Sequence, residues 1–372
     1  MAIVKAVRLD VEGKPIEEQD VLNVYDTTYH FYERFYTKDG FCVRFEVLEG
    51  TEAGQDAFMR SYPALLDIGI MGRCVCANRC NVDCYQNAKN RHEANMTVAN
   101  YRRIMEESKN KVFQVALGGA GDPDTHENFE DILKITREYG ITPSYTTSGI
   151  AMTPEKARLS KEYCGAVAVS EHNAEYTKRA VEMLIEAGVP TYLHYVLSRE
   201  SIAEAVERLK KKKFYDNLTA VTFLLYKPIG LGQAEKVLKR DTPKFQEFVD
   251  LIATAGGMPF RIGMDSCSSP MLIGLKSIPK EYYDTCESGR FSMYISSDMK
   301  AMPCSFCNQD KSWGVDLTTC TIEQAWSGEV FNSFRKSLKT SCISCSDRGQ
   351  CMGGCPLCSD IVLCDRPCKD KK

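Results

Sequence analysis

Six short apolar runs, separated by segments with the periodicity of amphipathic helices, constrain the fold of this chain more than any other feature. The runs begin near residue 64 and read LLDIGIM, VFQVALGG, PSYTTSG, GAVAVSE, TYLHYVLS and LTAVTFLLY. Short apolar runs that alternate with helices are typical of parallel βα units with right-handed crossovers. We therefore predict an α/β fold in which six units form a partial (βα)6 TIM-like barrel. The functional groups of such folds lie at the carboxyl ends of the strands.

Several helix starts can be recognised between the runs. Thr97 precedes VANYRRIMEES, and Thr153 with Pro154 at the first helical position precedes EKARLSKEY. Ser201 followed three residues later by Glu204 predicts a capping box. These signals place helices between the apolar runs, as the barrel requires.

The two flanks of the predicted barrel differ from it in composition. Residues 1–60 contain short β-rich pieces such as FCVRFEVL and predict a small N-terminal extension that packs on the barrel. After residue 240, the helix pattern KFQEFVDLIATAG and the strand pattern PFRIGMD lead into a cysteine-rich end. We predict three parts: an N-terminal extension (1–60), the barrel (61–240), and a bridging helix and strand with a cysteine-rich domain (241–372).

The charge and the hydropathy of the chain exclude some classes of function. The chain has 372 residues and a formal net charge of −3, so we expect no broad basic surface and no nucleic-acid partner. No apolar run approaches the roughly 18 residues of a membrane span. The segment MAIVKAVRLDVEGKP lacks the apolar core of a signal peptide. We therefore expect a cytoplasmic protein that does not enter a membrane.

Eighteen cysteines need an explanation in a cytoplasmic chain. The cytosol keeps thiols reduced, so metal ligation or redox chemistry is a better explanation than a disulfide framework. Four cysteines lie between residues 74 and 84, and twelve lie between residues 267 and 368. Cys42 and Cys164 stand apart, and we expect both to be small buried residues.

The first cysteine group lies in GRCVCANRCNVDCYQN, directly after the first apolar run and so in the first βα loop. Three thiolates from one loop could hold three irons of a [4Fe–4S] cluster and leave the fourth iron open to the amine and carboxylate of a small molecule. The alternative is a zinc site in the loop, or incidental thiols. Zinc sites favour CxxC pairs, and residues 74 to 84 contain none.

A cysteine loop that follows the first strand and ends in Cys84-Tyr85 resembles that of the radical S-adenosylmethionine (SAM) superfamily. The second strand ends in LGGAGDP (117–123), which is similar to the GGEP motif that binds the methionine amino group. The third ends in TTSG (146–149), the fourth at Ser170 and Glu171, and the sixth in YKPIGLG, which is similar to the glycine-rich turn beside the adenine. The resemblance covers about residues 64–368 and implies that SAM is contacted by Tyr85, Gly118, Gly119, Asp122, Pro123, Thr147, Ser148, Ser170 and Gly230.

The motifs of this chain depart from the superfamily at two points. The usual cysteine spacing is C-x3-C-x2-C, whereas Cys76, Cys80 and Cys84 give C-x3-C-x3-C, and Cys74 in the first position gives C-x5-C-x3-C. The resemblance implies Cys80 and Cys84 as ligands, with either Cys74 or Cys76 as the third. In LGGAGDP two residues are inserted, and Asp122 stands where glutamate is usual.

The C-terminal cysteines include CISCSDRGQCMGGC (342–355), which resembles the SPASM extension of radical SAM enzymes. That extension carries auxiliary [4Fe–4S] clusters, and Met299 stands where it usually has glycine. The resemblance implies two ligand sets, with Cys358 and Cys368 as competitors for the last position of the second, and the alternative is a pair of zinc sites. The first set is Cys267, Cys286, Cys304 and Cys355, and the second is Cys342, Cys345, Cys351 and Cys364.

The resemblance implies a metal-binding oxidoreductase with one SAM-binding and two auxiliary [4Fe–4S] clusters. Such an enzyme cleaves SAM reductively to a 5′-deoxyadenosyl radical and takes its electron from a flavodoxin or a ferredoxin-type protein. We expect it to mature a ribosomally synthesised peptide by a thioether or carbon–carbon crosslink or by side-chain oxidation. The alternatives are a radical SAM enzyme that acts on a small molecule or activates another enzyme, and a non-catalytic zinc-binding interaction protein. No residue is assigned as catalytic.

Overall fold

The computed structural model describes residues 2–9, 15–38, 40–46, 58–273, 275, 278, 284–340, 345, 351–352, 354–358 and 361. Within these ranges the strands form a small four-stranded antiparallel sheet and a ten-stranded sheet. The described strands are β1 (Ala2–Leu9), β2 (Pro15–Asp26), β3 (Phe31–Tyr36), β4 (Cys42–Glu46), β5 (Leu65–Met71), β6 (Gln114–Gly119), β7 (Thr142–Thr147), β8 (Ala166–Ser170), β9 (Thr191–Leu197), β10 (Ala220–Leu225), β11 (Arg261–Met264), β12 (Ser292–Ile295), β13 (Lys300–Met302) and β14 (Val315–Asp316).

The larger sheet has the strand order β11-β10-β9-β8-β7-β6-β5-β12-β13-β14. From β5 to β11, each strand pairs in parallel with the next strand along the chain. Because this order never reverses, the sheet lacks the switch point of a doubly wound fold and grows in one direction, as a barrel does. The predicted α/β partial barrel is confirmed, and the six predicted apolar runs coincide with β5 to β10.

Helices follow the barrel strands in turn. The hydroxyls of Thr97 and Thr153 accept hydrogen bonds from the backbone N–H groups of Asn100 and Lys156, so both predicted N-caps are confirmed. In the part of the chain that the structure describes, no helix has both the length and the apolar character to cross a membrane. The described α-helices are α1 (Val98–Ser108), α2 (Phe129–Glu138), α3 (Pro154–Tyr163), α4 (Ala174–Glu186), α5 (Ile202–Lys210), α6 (Phe245–Ala253), α7 (Ser269–Leu272), α8 (Ile322–Ser327) and α9 (Glu329–Thr340).

The capping box predicted at the start of α5 is wrong. The Ser201 hydroxyl donates to the carbonyl oxygen of Val196 at 2.7 Å and makes no cap hydrogen bond to the helix. The Glu204 carboxylate accepts from the Tyr195 hydroxyl and forms an ion pair with Arg208 one turn later. Ser201 is therefore bound to the end of β9, and Glu204 is bound to Tyr195 and to its own helix, so neither side chain caps α5.

The two faces of the barrel strands have different surroundings. On β9, Leu193 and Tyr195 are buried, whereas His194 between them is half-buried. This alternation follows from the two-residue period of a strand, which directs successive side chains to opposite faces of the sheet. The apolar core lies between the strands and the helices, and the other face forms the interior of the barrel.

The C-terminal part continues the barrel sheet. β12 pairs in parallel with β5, and β12, β13 and β14 form an antiparallel meander. Met299, which stands where the SPASM pattern usually has glycine, lies in the turn between β12 and β13 with a φ of 64°. Such a backbone conformation favours glycine. The Met299 side chain is only 2% exposed, and its burial offsets the backbone cost.

The N-terminal sheet packs against the barrel through aromatic side chains. The rings of Phe35 and Phe113 stack at 5.6 Å between centroids, and those of Phe31 and Phe291 meet edge to face at 6.0 Å. Beside them, the carboxylate of Glu33, which is 1% exposed, lies 3.0 Å from the guanidinium of Arg60. The small N-terminal sheet is thus joined to the ten-stranded sheet by buried aromatic contacts.

Candidate functional site

The first cysteine group lies in the loop that follows β5, as the sequence predicts. Cys76 is 2% exposed, whereas the Cys74, Cys80 and Cys84 side chains are half-buried. Burial raises the pKa of Cys74 to about 11, and burial also raises the pKa of Cys76 and Cys80. The nearby carboxylate of Asp122 raises these three pKa values further. Such thiols become thiolates when a metal replaces their protons.

The glycines of LGGAGDP hold this turn against the start of the cysteine loop. A Cβ on Gly119, whose φ is +119°, would collide with the carbonyl oxygen of Met71, and a Cβ on Gly121 would lie 2.5 Å from that of Arg73. Gly118 differs, because a Cβ there would meet only Asp67, at 3.9 Å. The backbone at Gly118 therefore faces space in which a ligand can approach it closely.

The ends of β6 and β7 are joined by buried carboxylates. Asp122 accepts hydrogen bonds from the backbone N–H and the hydroxyl of Ser148. Asp124, which is 2% exposed, accepts from the Thr147 hydroxyl at 3.0 Å and lies 3.3 Å from the ammonium of Lys156. Burial, and then the neighbouring Asp124, raise the pKa of Asp122 to about 6. The structure thus brings Asp122, Thr147 and Ser148 together at one end of the barrel, while Pro123 is buried between the two aspartates.

The YKPIGLG turn after β10 lies over the end of the cysteine loop. Gly230 has a φ of +65°, and a Cβ there would collide with the carbonyl oxygen of Tyr85. The backbone N–H of Leu231 donates to the carbonyl oxygen of Cys84 at 3.0 Å. The Tyr85 ring packs on Phe306 with 4.5 Å between centroids. Two predicted cofactor-binding residues, Tyr85 and Gly230, therefore lie in contact.

The two residues at the end of β8 offer fewer free polar groups to the candidate cofactor site than the sequence suggests. Ser170 is 8% exposed, and its carbonyl oxygen accepts from the hydroxyl of Thr177. The carboxylate of Glu171 is held by Arg208 and Tyr215, each at 2.9 Å. Both oxygens of the Glu171 carboxylate therefore have partners within the protein. The side chain of Ser170 remains at the end of the strand.

Two histidines line the interior of the barrel beside this strand end. The Nδ1 atom of His172 is buried without a hydrogen-bond partner. Burial lowers the pKa of His172 to about 4, and burial also lowers that of His194 to about 4. Both imidazoles are therefore neutral at physiological pH. The open ring nitrogen of His172 can accept or donate one hydrogen bond to a bound molecule.

Sequence reasoning missed Asp67, which lies within β5 beside Gly118. Burial raises the pKa of Asp67 to about 7, although a hydrogen bond with Ser305 partly opposes this shift. Burial, and then the charge of Asp67, raise the pKa of Tyr85 and that of Tyr294. A single aspartate inside the apolar run LLDIGIM is the signal that could have identified it, because a carboxylate in a buried strand is costly without a partner.

The four cysteines expected to form the first auxiliary set lie within electrostatic reach of one another. Near the last strands of the sheet in the sequence lie Cys267, Cys286, Cys304 and Cys355. Each of these cysteines interacts electrostatically with at least two others of the set. Burial raises the pKa of Cys286 and Cys304 to about 12. Burial also raises the pKa of Cys267, and hydrogen bonding to Cys358 followed by burial raises that of Cys355.

Two cysteines that we had not assigned to this set also join it. Cys307 is 1% exposed and lies next to Cys304, and Cys358 is 4% exposed and hydrogen-bonds to Cys355. We refer to these six residues as the C-terminal thiol group. The group consists of Cys267, Cys286, Cys304, Cys307, Cys355 and Cys358.

The expected second set is only partly described. Cys345 and Cys351 are half-buried, whereas Cys342, Cys364 and the competitor Cys368 lie outside the described residues. In the described ranges, no three His, Cys, Asp or Glu side chains are arranged to hold a single metal ion. Of the two isolated cysteines, Cys164 is buried as expected, but Cys42 is exposed on the edge strand β4.

Comparisons with known proteins agree with this geometry. The family model of the radical SAM superfamily matches residues 74–239, which include the cysteine loop and the YKPIGLG turn. The structure of Streptococcus suis SuiB bound to S-adenosylmethionine has a TM-score of 0.63 and 18% identity, and the match covers 83% of this chain and 78% of SuiB.

Two further structures resemble this chain. S. suis SuiB bound to the precursor peptide SuiA has a TM-score of 0.67 and 13% identity, with 98% of this chain and 100% of that chain covered. Native anSMEcpe with bound AdoMet and Cp18Cys peptide has a TM-score of 0.61 and 19% identity, with 82% and 92% covered. At these identities the likeness establishes the fold. Residues 74–239, somewhat less than half of the chain, match the radical SAM superfamily and form a radical SAM domain.

Proposed function

We propose that this chain cleaves SAM reductively to a 5′-deoxyadenosyl radical and uses the radical to modify a ribosomally synthesised peptide. Auxiliary [4Fe–4S] clusters in a SPASM-type C-terminal region would assist the reaction. The observation that carries the proposal is the short separation of the two cysteine groups. Phe306, two residues after Cys304 of the C-terminal thiol group, packs directly on Tyr85, which follows Cys84 of the loop.

The residues present fit a SAM-binding cluster. The cysteine loop supplies four thiols, of which three are required, and the open backbone at Gly118 provides a place for the methionine moiety. A [4Fe–4S] cluster with an open iron supplies the electron for SAM cleavage and a site for the methionine amine and carboxylate. Cys80 and Cys84 with Cys74 or Cys76 would hold it.

The remaining residues of the site would bind SAM, orient it and exclude water from it. Asp122, held by Ser148, would present its carboxylate to the methionine ammonium, and Gly230 lets the adenine-side turn close on Tyr85. His172 offers a buried ring nitrogen to the substrate or the ribose. The tight packing of both turns on the cysteine loop would exclude water, which protects a radical from side reactions.

The C-terminal thiol group fits a second iron–sulfur site by the chemistry of its donors. Six buried or half-buried thiols are more than a single four-thiolate cluster requires. We propose Cys267, Cys286, Cys304 and Cys355 as its ligands. Cys345 and Cys351, with Cys342 and Cys364, would hold the second auxiliary cluster.

A peptide substrate is supported by what the similar proteins bind. SuiB is seen with the precursor peptide SuiA, and anSMEcpe with the Cp18Cys peptide. The match to the peptide-bound SuiB extends over nearly the whole of both chains, including the N-terminal sheet. A cytoplasmic flavodoxin or ferredoxin would supply the electron.

The test is reconstitution of the protein with iron and sulfide under anaerobic conditions, followed by reduction and addition of SAM. We expect 5′-deoxyadenosine to form, and candidate precursor peptides encoded near the gene to change mass in its presence. Cys80→Ala is the matched control and should form neither product. If SAM is cleaved but only small molecules or another enzyme are modified, the peptide part of the proposal is wrong. A preparation that binds zinc in place of iron and leaves SAM intact would refute the whole proposal.

A further inference from the structure

A buried lysine lies between the barrel and the C-terminal thiol group. Lys227 follows β10 in the YKPIGLG turn, and its side chain is 3% exposed. Its Nζ atom lies 3.2 Å from the Asp265 carboxylate and 3.2 Å from the carbonyl oxygen of Leu225, and 4.3 Å from the centre of the Phe306 ring. A buried ammonium costs several kcal/mol unless it is well paired, so its position here needs a reason.

The surroundings of Lys227 are rich in cysteine sulfur. The ion-pair partner of Lys227, Asp265, lies two residues before Cys267, and the Phe306 ring beneath the ammonium lies two residues after Cys304. The Asp265 carboxylate and the carbonyl oxygen of Leu225 both stabilise the charged form of the lysine, so Lys227 is a cation at this place. The ammonium therefore lies beside two of the segments that carry the C-terminal thiol group.

A fixed cation at this place has a defined effect on an iron–sulfur site. A cluster with four thiolates is anionic, and it gains one more negative charge when it takes up an electron. A nearby positive charge stabilises the reduced form more than the oxidised form, and the effect is large where water is excluded. The Asp265 carboxylate acts in the opposite direction, but it already pairs with Lys227, with the backbone N–H of Leu225 and with the Ser268 hydroxyl.

From this arrangement we infer that Lys227 is a positioning residue for electron transfer, which raises the reduction potential of the cluster held by Cys267, Cys286, Cys304 and Cys355. The inference rests on the proposed function, because it requires that these cysteines bind a cluster. It goes further by giving the barrel a direct influence on that cluster. The YKPIGLG turn that closes on the SAM site through Leu231 also carries the charge that makes the auxiliary site a better electron acceptor.

The test is a potentiometric titration followed by electron paramagnetic resonance. The background is a Cys80→Ala/Cys84→Ala protein, in which the SAM-binding cluster is absent and the remaining signals come from auxiliary clusters. Lys227→Met removes the charge at similar length, and Lys227→Arg retains it. We expect Lys227→Met to lower the ratio of reduced to oxidised cluster at a fixed potential by about tenfold for one cluster, which is about 59 mV for a one-electron couple. Lys227→Arg should stay near the parent.

Asp265→Asn separates charge from packing, because it removes the opposing charge and should raise the same potential. Opposite shifts in Lys227→Met and Asp265→Asn support the inference. An unchanged potential in Lys227→Met at unchanged iron content overturns it, and so do shifts of the same sign in both variants. If Lys227→Met fails to retain iron, the Asp265→Asn shift decides alone. A parent background without any iron–sulfur signal would instead refute the auxiliary clusters of the proposed function.

Discussion

Four thiols lie in a loop where an open-iron cluster needs three. We expect Cys80→Ala or Cys84→Ala to lower 5′-deoxyadenosine formation by at least about a thousandfold, because two thiolates hold such a cluster too weakly. Of Cys74→Ala and Cys76→Ala, one should have the same effect and the other should cost less than about tenfold. Cys76 is the more buried of the two thiols, and the Arg79 guanidinium lies 3.7 Å from its sulfur. Burial, and also the Asp122 carboxylate, raise the pKa of both thiols.

The measurement is chromatographic quantification of 5′-deoxyadenosine, with iron content determined on the same samples. Cys164→Ala is the matched control, since Cys164 is buried behind the sheet beside Arg137 and away from the loop. If both Cys74→Ala and Cys76→Ala cleave SAM normally, neither thiol is an essential ligand and the proposed ligand set is wrong.

Asp67 gives a prediction about pH and stability at the same scale. Burial raises its pKa from 3.8 to about 7, so the folded chain keeps a proton that the unfolded chain loses between about pH 4 and 7. The folded state is therefore destabilised as the pH rises through this window. Asp67→Asn removes this pH-dependent loss of stability. The midpoint of thermal unfolding of the variant should therefore exceed that of the parent by more at about pH 8 than at about pH 5.5.

The control is Asp241→Asn, at an exposed aspartate, which should shift the midpoint equally at both pH values. The measurement is thermal unfolding of the iron-loaded proteins under anaerobic conditions. An equal shift for Asp67→Asn at the two pH values would show that this carboxyl does not ionise in the window, and that its environment is wetter than the structure implies.

The turn after β6 carries a prediction at the scale of the element. Gly121→Ala places a methyl group against the carbonyl of Arg73 and the Cα of Cys74, so the turn and the cysteine loop have to separate. Overpacking of this kind costs about 1–3 kcal/mol. If that free energy is lost from the binding of the cofactor in its reactive position, the rate of SAM cleavage should fall by about 5-fold to 150-fold.

Gly256→Ala is the matched control, because a Cβ there meets no atom within 4 Å. It should leave both SAM cleavage and iron content unchanged. The decisive measurement is the SAM cleavage rate per bound iron. A Gly121→Ala protein with normal cleavage would mean that the contact between the two loops does not position the cofactor.

At the scale of the whole molecule, the two cysteine groups should be separable in function. Cys355 and Cys320 are both half-buried cysteines of the C-terminal part, but Cys320 lies apart, with its sulfur against the carbonyl oxygen of Asp316. We expect Cys355→Ala to lose about four irons per chain. It should still form 5′-deoxyadenosine without product, whereas Cys320→Ala should keep its iron and its product.

The alternative at this scale is a cluster that only stabilises the C-terminal part, since metal binding is also folding free energy. Limited proteolysis of the same samples distinguishes the two roles. A Cys355→Ala protein that resists proteolysis and still makes normal amounts of product would refute the functional role of the first auxiliary cluster.

The sequence alone determined the order of the elements and the positions of the motifs along the chain. β5 runs over the residues of LLDIGIM, and the other five apolar runs each contain or overlap one barrel strand. These features are local, because apolar periodicity and turn residues act over a few positions. Cys80, Cys84 and the glycines at 118, 119 and 230 were predicted from the resemblance of their motifs to those of the radical SAM superfamily, and a short motif of this kind can be recognised without its partners.

Only the tertiary structure decided which side chains meet. Asp67 and Ser305 are more than 200 positions apart, and the Lys227 ammonium lies over the ring of Phe306 from the C-terminal part of the chain. Glu204 fits a capping pattern but accepts a hydrogen bond from the Tyr195 hydroxyl instead. A pattern of neighbours carries no information on such pairs, because their energies depend on burial and on the charges that folding brings near. The cost of burying a charge arises only in the folded state, and it is there that the chain's functional side chains acquire their chemistry.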